Sequence, residues 1–322
     1  MSPKVLITGG AGYLGGRIAA DLTAWNRFSI RLTIRESEDD HSLYVPENEI
    51  VAMDLLNDEQ IRAACKGVYC IIHLAAMNEI DCAKDPERAL AVNGLGTLKL
   101  IRMAETEGVE RFVYISTAHV YGAPLQGIIT EATLPRPVHP YAITHRVAED
   151  FVFSALSRCS MQGIVIRLSN ALGSPVHPSV NRWSLVANDL CRQVVTTGKI
   201  QLHSAGVQKR DFVPIADVCA AIRHFIELPE AKLGSGLFNL GGEKSLRIID
   251  LAKIIAERTL EIFGFEPPII SPSVESGEEM ETTLIYSIDK LKSTGFRLKG
   301  NIKDAIDETL LFCAKYFGDG KI

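Results

Sequence analysis

Three side chains in the middle of the sequence have the types and spacing needed to move a proton. Thr117 closes the run Arg111-Phe112-Val113-Tyr114-Ile115-Ser116-Thr117, which reads as a strand ending in hydroxyls. Further on comes Pro140-Tyr141-Ala142-Ile143-Thr144-His145. Proline is favoured at a helix start, so Tyr141 falls in a first helical turn. The four-residue spacing then puts Tyr141 and His145 on one helical face. A hydroxyl at a strand end, a phenol and an imidazole make a proton-transfer set. His119, just past the strand, is either a second proton-transfer group or a histidine hydrogen-bonded at the strand end.

Such a set needs a scaffold, and the N-terminal stretch describes one. Val5-Leu6-Ile7-Thr8 reads as a buried strand, Gly9-Gly10-Ala11-Gly12-Tyr13-Leu14-Gly15 as a glycine turn, and the residues from Gly15 on as a helix with Ile18, Ala19 and Leu22 on one face. In that context a G-x-x-G-x-x-G run is a dinucleotide signature. Gly9 allows the tight turn, Gly12 leaves room for a pyrophosphate, and Gly15 lets helix and strand pack closely. The helix start offers free N–H groups and a positive dipole end to the phosphates.

Further strands follow. Ser29–Arg35 alternates and ends in Arg35-Glu36. Arg35 facing a 2′-phosphate indicates NADP and Glu36 on the ribose hydroxyls indicates NAD, while a solvated Arg35 indicates neither. Ile50–Leu55 is a third strand. Its Asp54 can reach the adenine amine or cap the helix opened by Asn57. Val68–Ala76 is an apolar central strand. Its His73 reads as a hydrogen-bonded core residue, and Ala75 and Ala76 admit the cofactor's middle. Pro86–Glu107 reads as one long helix, with Asn93 facing the sheet and bonded to the backbone of the next strand. Gly163–Asn170 is a sixth strand. Regular alternation of strand and helix means a doubly wound parallel sheet, an α/β class.

From Gly173 the alternation stops. Residues 1–172 are expected to form the dinucleotide-binding domain and 173–322 a smaller mixed α/β substrate region, with 212–245 returning to the first. Helices are expected over Ser184–Thr197, Asp217–Glu227, Ile248–Phe263, Ser287–Thr294 and Ile302–Phe317, and Pro267–Thr283 reads as loop.

The 322 residues carry a net charge of −5 and no basic run, which argues against nucleic-acid binding. No apolar stretch approaches membrane-spanning length. The seven cysteines form neither a C-x-x-C pair nor a metal spacing, so reduced thiols and no metal are expected. A core strand begins directly after Met-Ser-Pro-Lys, which leaves no room for a signal peptide, and a cytoplasmic location is expected.

These motifs together resemble the extended short-chain dehydrogenase/reductase family, in its NAD-dependent epimerase/dehydratase branch. The resemblance runs nearly end to end. It rests on Thr8–Gly15, Asp54-Leu55, His73-Leu74-Ala75-Ala76, Asn93, Ser116-Thr117-x-x-Val120-Tyr121-Gly122, Tyr141, Arg167–Gly173, Arg210-Asp211-Phe212 and Asn239-Leu240-Gly241-Gly242. It implies a Rossmann fold, NAD or NADP as cofactor, a nucleotide sugar as substrate and a homodimer. Tyr141 would be the acid/base at the oxidised sugar hydroxyl, and Thr117 would bond the same oxygen. Tyr13, Leu14, Asp54, Leu55, Leu74, Ala75, Ala76, Asn93, Ser116 and Ser169 would line the cofactor, with His119, Asn170 and Arg210 toward the substrate. The dimer would form through the Pro86–Glu107 helix and the one starting at Tyr141.

Three departures stand out. The family's Tyr-x-x-x-Lys is here Tyr141-x-x-x-His145, so an imidazole either replaces the cation that holds the nicotinamide ribose or merely fills space. Ala118 and His119 stand where 4,6-dehydratases of the family carry Asp-Glu. The late loop that usually offers an arginine to the diphosphate reads Val274-Glu275-Ser276-Gly277-Glu278-Glu279, in which a glutamate would repel a diphosphate, so either the substrate is not a standard nucleotide sugar or Arg182, Lys199 or Lys209 supplies that charge. The most direct implied activity is sugar epimerisation by transient hydride transfer, with 4-ketoreduction or non-catalytic dinucleotide binding as alternatives.

Overall fold

Seven apolar strands pair side by side in a computed structural model that describes residues 2–35, 48–158, 161–272 and 283–318. In chain order the first half contains β1 (Lys4–Thr8), α1 (Tyr13–Trp25), β2 (Ser29–Ile34), β3 (Glu49–Ala52), α2 (Asp58–Cys65), β4 (Cys70–His73), α3 (Glu79–Lys84), α4 (Pro86–Ala89), α5 (Thr97–Thr106), β5 (Arg111–Thr117), β6 (Gly127–Ile129) and α6 (Pro140–Leu156). The second half contains β7 (Gln162–Leu168), β8 (Asn170–Leu172), α7 (Val186–Thr197), β9 (Ile200–Gln201), β10 (Lys209–Pro214), α8 (Ile215–Glu227), β11 (Leu237–Leu240), β12 (Ser245–Arg247), α9 (Ile248–Phe263), β13 (Ile269–Ile270), β14 (Leu284–Tyr286), α10 (Asp289–Ser293) and α11 (Ile302–Phe317).

The large sheet runs β3-β2-β1-β4-β5-β7-β11, and every pairing in it is parallel. Its strand order reverses between β1 and β4, so a crevice opens there at the carboxyl ends of the strands. The strands are apolar because helices cover both faces. Ile18 and Leu22 of α1 and Ile222 and Phe225 of α8 pack on one face. Ile61 of α2, Leu100 and Ile101 of α5 and Val152 of α6 pack on the other. This is a doubly wound Rossmann sheet.

The remaining strands form small sheets, β12-β10-β8, β13-β9 and β14-β6. Helices α7, α9 and α11 share an apolar cluster with Trp183, whose ring stacks on Phe312. Two sequence expectations change here. The sixth strand does not continue through Asn170. It leaves the main sheet at Ser169, and Asn170–Leu172 pairs with β10 instead. The expected Pro267–Thr283 loop contains β13, which pairs with β9. Segments of two or three residues are too short to carry a period of their own.

The expected uninterrupted helix over Pro86–Glu107 also changes. Leu90–Gly96 is a π-helical segment between α4 and α5. The wider turn carries Asn93 inward, where it is 1% exposed. Its partner is not the next strand. Asn93 Oδ1 accepts from Met77 N (2.8 Å), just past β4, and its Nδ2 donates to Thr144 Oγ1 (3.0 Å) on α6.

Candidate active site

The glycine turn lies at the end of β1. Gly9 has φ +68°, and Gly12 N donates to Gly9 O at 2.9 Å. A Cβ on Gly15 would sit 2.1 Å from Gly9 O, so only glycine lets α1 press on the turn. Gly12 is the N-cap of α1, in extended conformation and with no side chain capping the helix. First-turn amides are therefore left for an anion, and the turn fits a dinucleotide's pyrophosphate. Tyr13 turns its hydroxyl away to donate to Gly173 O (2.7 Å), while Leu14 packs against the core. A Gly15→Ala substitution is expected to cost about 2–4 kcal/mol of stability, because the clash is with backbone, and to weaken dinucleotide binding. Chemical denaturation and a cofactor titration check both.

Along the crevice, Thr8 Oγ1 accepts from Leu74 N and Ala75 N, each at 3.1 Å. It also bonds His73 Nδ1 at 2.7 Å, while Nε2 meets Thr97 Oγ1 at 2.9 Å. Thr97 gives its own proton to Asn93 O, so Nε2 carries the imidazole proton and Thr8 donates to Nδ1. Burial pushes the His73 pKa down to about 3, in keeping with a neutral core histidine. Ala76 is exposed beyond it. At the adenosine end Arg35 is exposed, while Glu36 lies outside the described residues. Leu55 is buried and Asp54 exposed. Asp54 does not cap α2. Its Oδ1 accepts from Leu56 N (2.8 Å), and Asn57 caps the helix.

Helix α6 begins at an unusual cap, in which His139 Nδ1 accepts from Tyr141 N at 3.2 Å. The Thr117 side chain lies near enough to the Tyr141 hydroxyl to favour its phenolate, against the larger effect of burial. Thr117 Oγ1 accepts from His119 N at 3.2 Å. One turn below, the His145 ring lies 4.1 Å from the Tyr141 ring, and its Nδ1 is 2.8 Å from Tyr141 O. A carbonyl only accepts, so Nδ1 carries the proton and Nε2 is left as an acceptor. Thr144 Oγ1 donates to the same carbonyl at 3.0 Å. A chain of bonds thus runs from Met77 through Asn93 and Thr144 to Tyr141.

The electrostatics of this pair follow from burial. Desolvation pushes the His145 pKa down to about 4, against its bond to the Tyr141 carbonyl. The imidazole is therefore neutral at pH 7. Burial, and then the Glu79 carboxylate, hold the Tyr141 phenol well above its usual range.

Ser116 faces the other way. Its Oγ donates to Glu149 Oε1 (2.6 Å), and Arg167 clamps Glu149 through Nε (2.9 Å) and Nη2 (2.7 Å). Glu149 and Arg167 are 0% and 1% exposed. Tyr141, His145 and Glu149 recur every four residues, a signal present in the sequence that sequence reasoning passed over. Replacing Glu149 by alanine strands a buried guanidinium and is expected to cost about 3–5 kcal/mol, read by chemical denaturation.

On the open side, His119 is half-buried, and burial followed by the Arg210 charge lowers its pKa. Arg210 Nη2 donates to Gln208 Oε1 at 3.3 Å. Ser169 and Asn170 turn toward β10. Ser169 Oγ donates to Asp211 Oδ1 (2.6 Å) and Asn170 Nδ2 to Asp211 O (2.9 Å). Glu79 and Arg182 pair at 3.1 Å. The Val274–Glu279 segment lies outside the described residues.

Among known proteins, the chain is 24% identical over 345 residues to the dTDP-D-glucose 4,6-dehydratase of Mus musculus, covering 99% of this chain and 90% of that one. Its fold is similar to the Thermotoga maritima UDP-glucose 4-epimerase solved with UDP-glucose, with TM-score 0.80, 20% identity and coverage of 97% and 99%. It is also similar to the Bacillus cereus UDP-glucuronic acid 4-epimerase solved with UDP-glucuronic acid and NAD, with TM-score 0.81, 20% identity and coverage of 98% and 100%. Residues 5–241, from the first strand through the glycine turn and the Thr117–Tyr141 pair to the last strand of the sheet, match the family model, and the chain belongs to the NAD dependent epimerase/dehydratase family.

Proposed function

We propose that the protein oxidises and re-reduces a secondary hydroxyl of a nucleotide sugar, as an NAD(P)-dependent epimerase. The observation that carries this reading is the approach of Thr117, at the end of β5, to Tyr141, in the first turn of α6, at the carboxyl edge of the sheet that also holds the glycine turn. When bound, the nicotinamide supplies the hydride acceptor and donor. Tyr141 takes the proton from the sugar hydroxyl and later returns it. Thr117 orients that oxygen, and His145 Nε2 accepts a hydrogen bond from a ribose hydroxyl, where a lysine would donate one. Gly9, Gly12 and Gly15 would seat the pyrophosphate, Leu74 to Ala76 would border the dinucleotide, and Arg210 would face the nucleotide end of the substrate, with Asn170 beside it held to Asp211 O. Arg35 is the residue through which NADP would be distinguished from NAD.

Ala118 and His119 replace the acid pair used by related dehydratases, which speaks against dehydration by that route. A 4-ketoreductase is the second reading, and one experiment separates the two. The purified protein is incubated with UDP- and dTDP-sugars while reduced nicotinamide absorbance and sugar products are followed. An epimerase converts sugar with no net change in the dinucleotide. A reductase consumes reduced dinucleotide one for one. Dinucleotide binding without any sugar turnover would leave only the non-catalytic reading.

Leu90 and Leu95, about half exposed, border an apolar groove of about 360 Å³ that also includes Leu98, Val147 and Phe151. A second copy burying this face would give a homodimer. Light scattering is expected to return twice 35.3 kDa, and a Leu95→Glu variant the monomer mass. A cytoplasmic setting accords with the six described cysteines, all buried thiols. Among the described residues no helix is long and apolar enough to cross a membrane.

A further inference from the structure

The Glu79–Arg182 ion pair has no part in the proton-transfer set, yet it lies beside it. Glu79 opens α3, directly after the β4 segment that borders the dinucleotide crevice. Arg182 comes from the loop between β8 and α7, 103 residues away. Their Nη1–Oε2 distance is 3.1 Å, and both side chains are partly exposed, at 39% and 27%. A cleft of about 450 Å³ is lined by Glu79, Ile80, Ala83, Lys84 and His139. His139 is the residue whose imidazole caps the Tyr141 helix, so the cleft adjoins the phenol's own turn. Glu79 and Arg182 are also the two charges that act most strongly on Tyr141.

We propose that this pair is the specificity element of the sugar subsite and selects a neutral sugar over a uronate. The inference rests on the nucleotide-sugar reading given above. Each charge is already compensated by the other, and the pair still offers N–H donors and carboxylate acceptors to neutral hydroxyls. A sugar carboxylate meets a different wall. It faces the Glu79 charge and must displace Glu79 to reach Arg182, leaving one carboxylate unpaired. Removing the Glu79 charge frees the guanidinium, which then receives a carboxylate in a charge-assisted bond.

The test is a set of calorimetric titrations on the full chain. Free UDP and dTDP are titrated first, to select the nucleotide. The glucose and glucuronate esters of that nucleotide follow, with the wild type, Glu79→Gln and Arg182→Ala. The wild type is expected to bind the glucose ester about tenfold more tightly than the glucuronate ester. Glu79→Gln is expected to shift that ratio about tenfold or more toward glucuronate, the size of one charge-assisted hydrogen bond. Arg182→Ala is expected to lose glucuronate binding without gaining it elsewhere. Affinity for the free nucleotide reports that each variant is folded. An unchanged glucose-to-glucuronate ratio in Glu79→Gln, with free nucleotide still bound, overturns the specificity proposal. Binding of neither nucleotide nor ester by the wild type overturns the nucleotide-sugar reading instead.

Discussion

A Tyr141→Phe variant is expected to turn over its sugar about 10²–10⁴-fold more slowly than the wild type, while binding the dinucleotide with nearly the same affinity. The substitution removes one oxygen. That oxygen lies beside the Thr117 side chain, which favours its phenolate. The ring would stay against His145, with its centroid 4.1 Å from the imidazole, and the backbone bonds that hold the α6 start are untouched. What is lost is the group that exchanges a proton with the sugar hydroxyl. Single-turnover rates with bound dinucleotide measure the loss, and a separate titration measures dinucleotide affinity. A rate within a few-fold of wild type would remove Tyr141 from the chemistry.

The second large effect concerns the departure one turn below. A His145→Lys variant is expected to move the rising limb of the pH–rate profile, set by the Tyr141 phenol, down by about 1–3 pH units, the usual effect of a cation beside an acid. The sign follows from the charges. In the wild type, burial keeps His145 uncharged down to a pKa of about 4. It therefore contributes no positive charge between pH 5.5 and 9 and no inflection of its own in that range. The Tyr141 phenol, raised by burial and by Glu79, receives no help from it in becoming a phenolate. A lysine ammonium favours the phenolate, so more of the active form is present at a given pH. The rate of sugar oxidation at pH 7 should rise about tenfold or more, since one pKa unit is tenfold in population. A superimposable pH profile would mean that residue 145 does not act on Tyr141 and only occupies space.

Both effects depend on how α6 is anchored. Asn93, carried inward by the π-helical segment, ties the end of β4 to Thr144, and Thr144 ties to the Tyr141 carbonyl. Glu149, two turns beyond Tyr141, ties the same helix to Ser116 beside Thr117. The helical turn that carries Tyr141 and the strand end that carries Thr117 are therefore each fixed by side chains outside the proton-transfer set. Such support is what keeps a proton-transfer pair in register.

Much of this was legible in the linear sequence because it is local. Val5–Thr8 followed by Gly9, Gly12 and Gly15 describes a strand, a turn and a helix in contiguous residues, and their packing is dictated by the missing Cβ atoms. Apolar runs with two-sided burial announce central parallel strands. The four-residue step from Tyr141 to His145 is helical geometry. The short pairings of β6 with β14 and β9 with β13 were not legible, since strands of two or three residues have no period. The protonation of His145 was not legible either. Its ordinary pKa of about 6.5 leaves the charge open, and only the burial of the ring, with Tyr114 and Tyr141 beside it, removes that charge. Glu79 and Arg182 carry no spacing signal, because a contact across 103 residues exists only once the chain has folded. Spacing along the chain told which groups share an element. Desolvation and long-range pairing, which depend on what the other elements bring, set their charge and their partners.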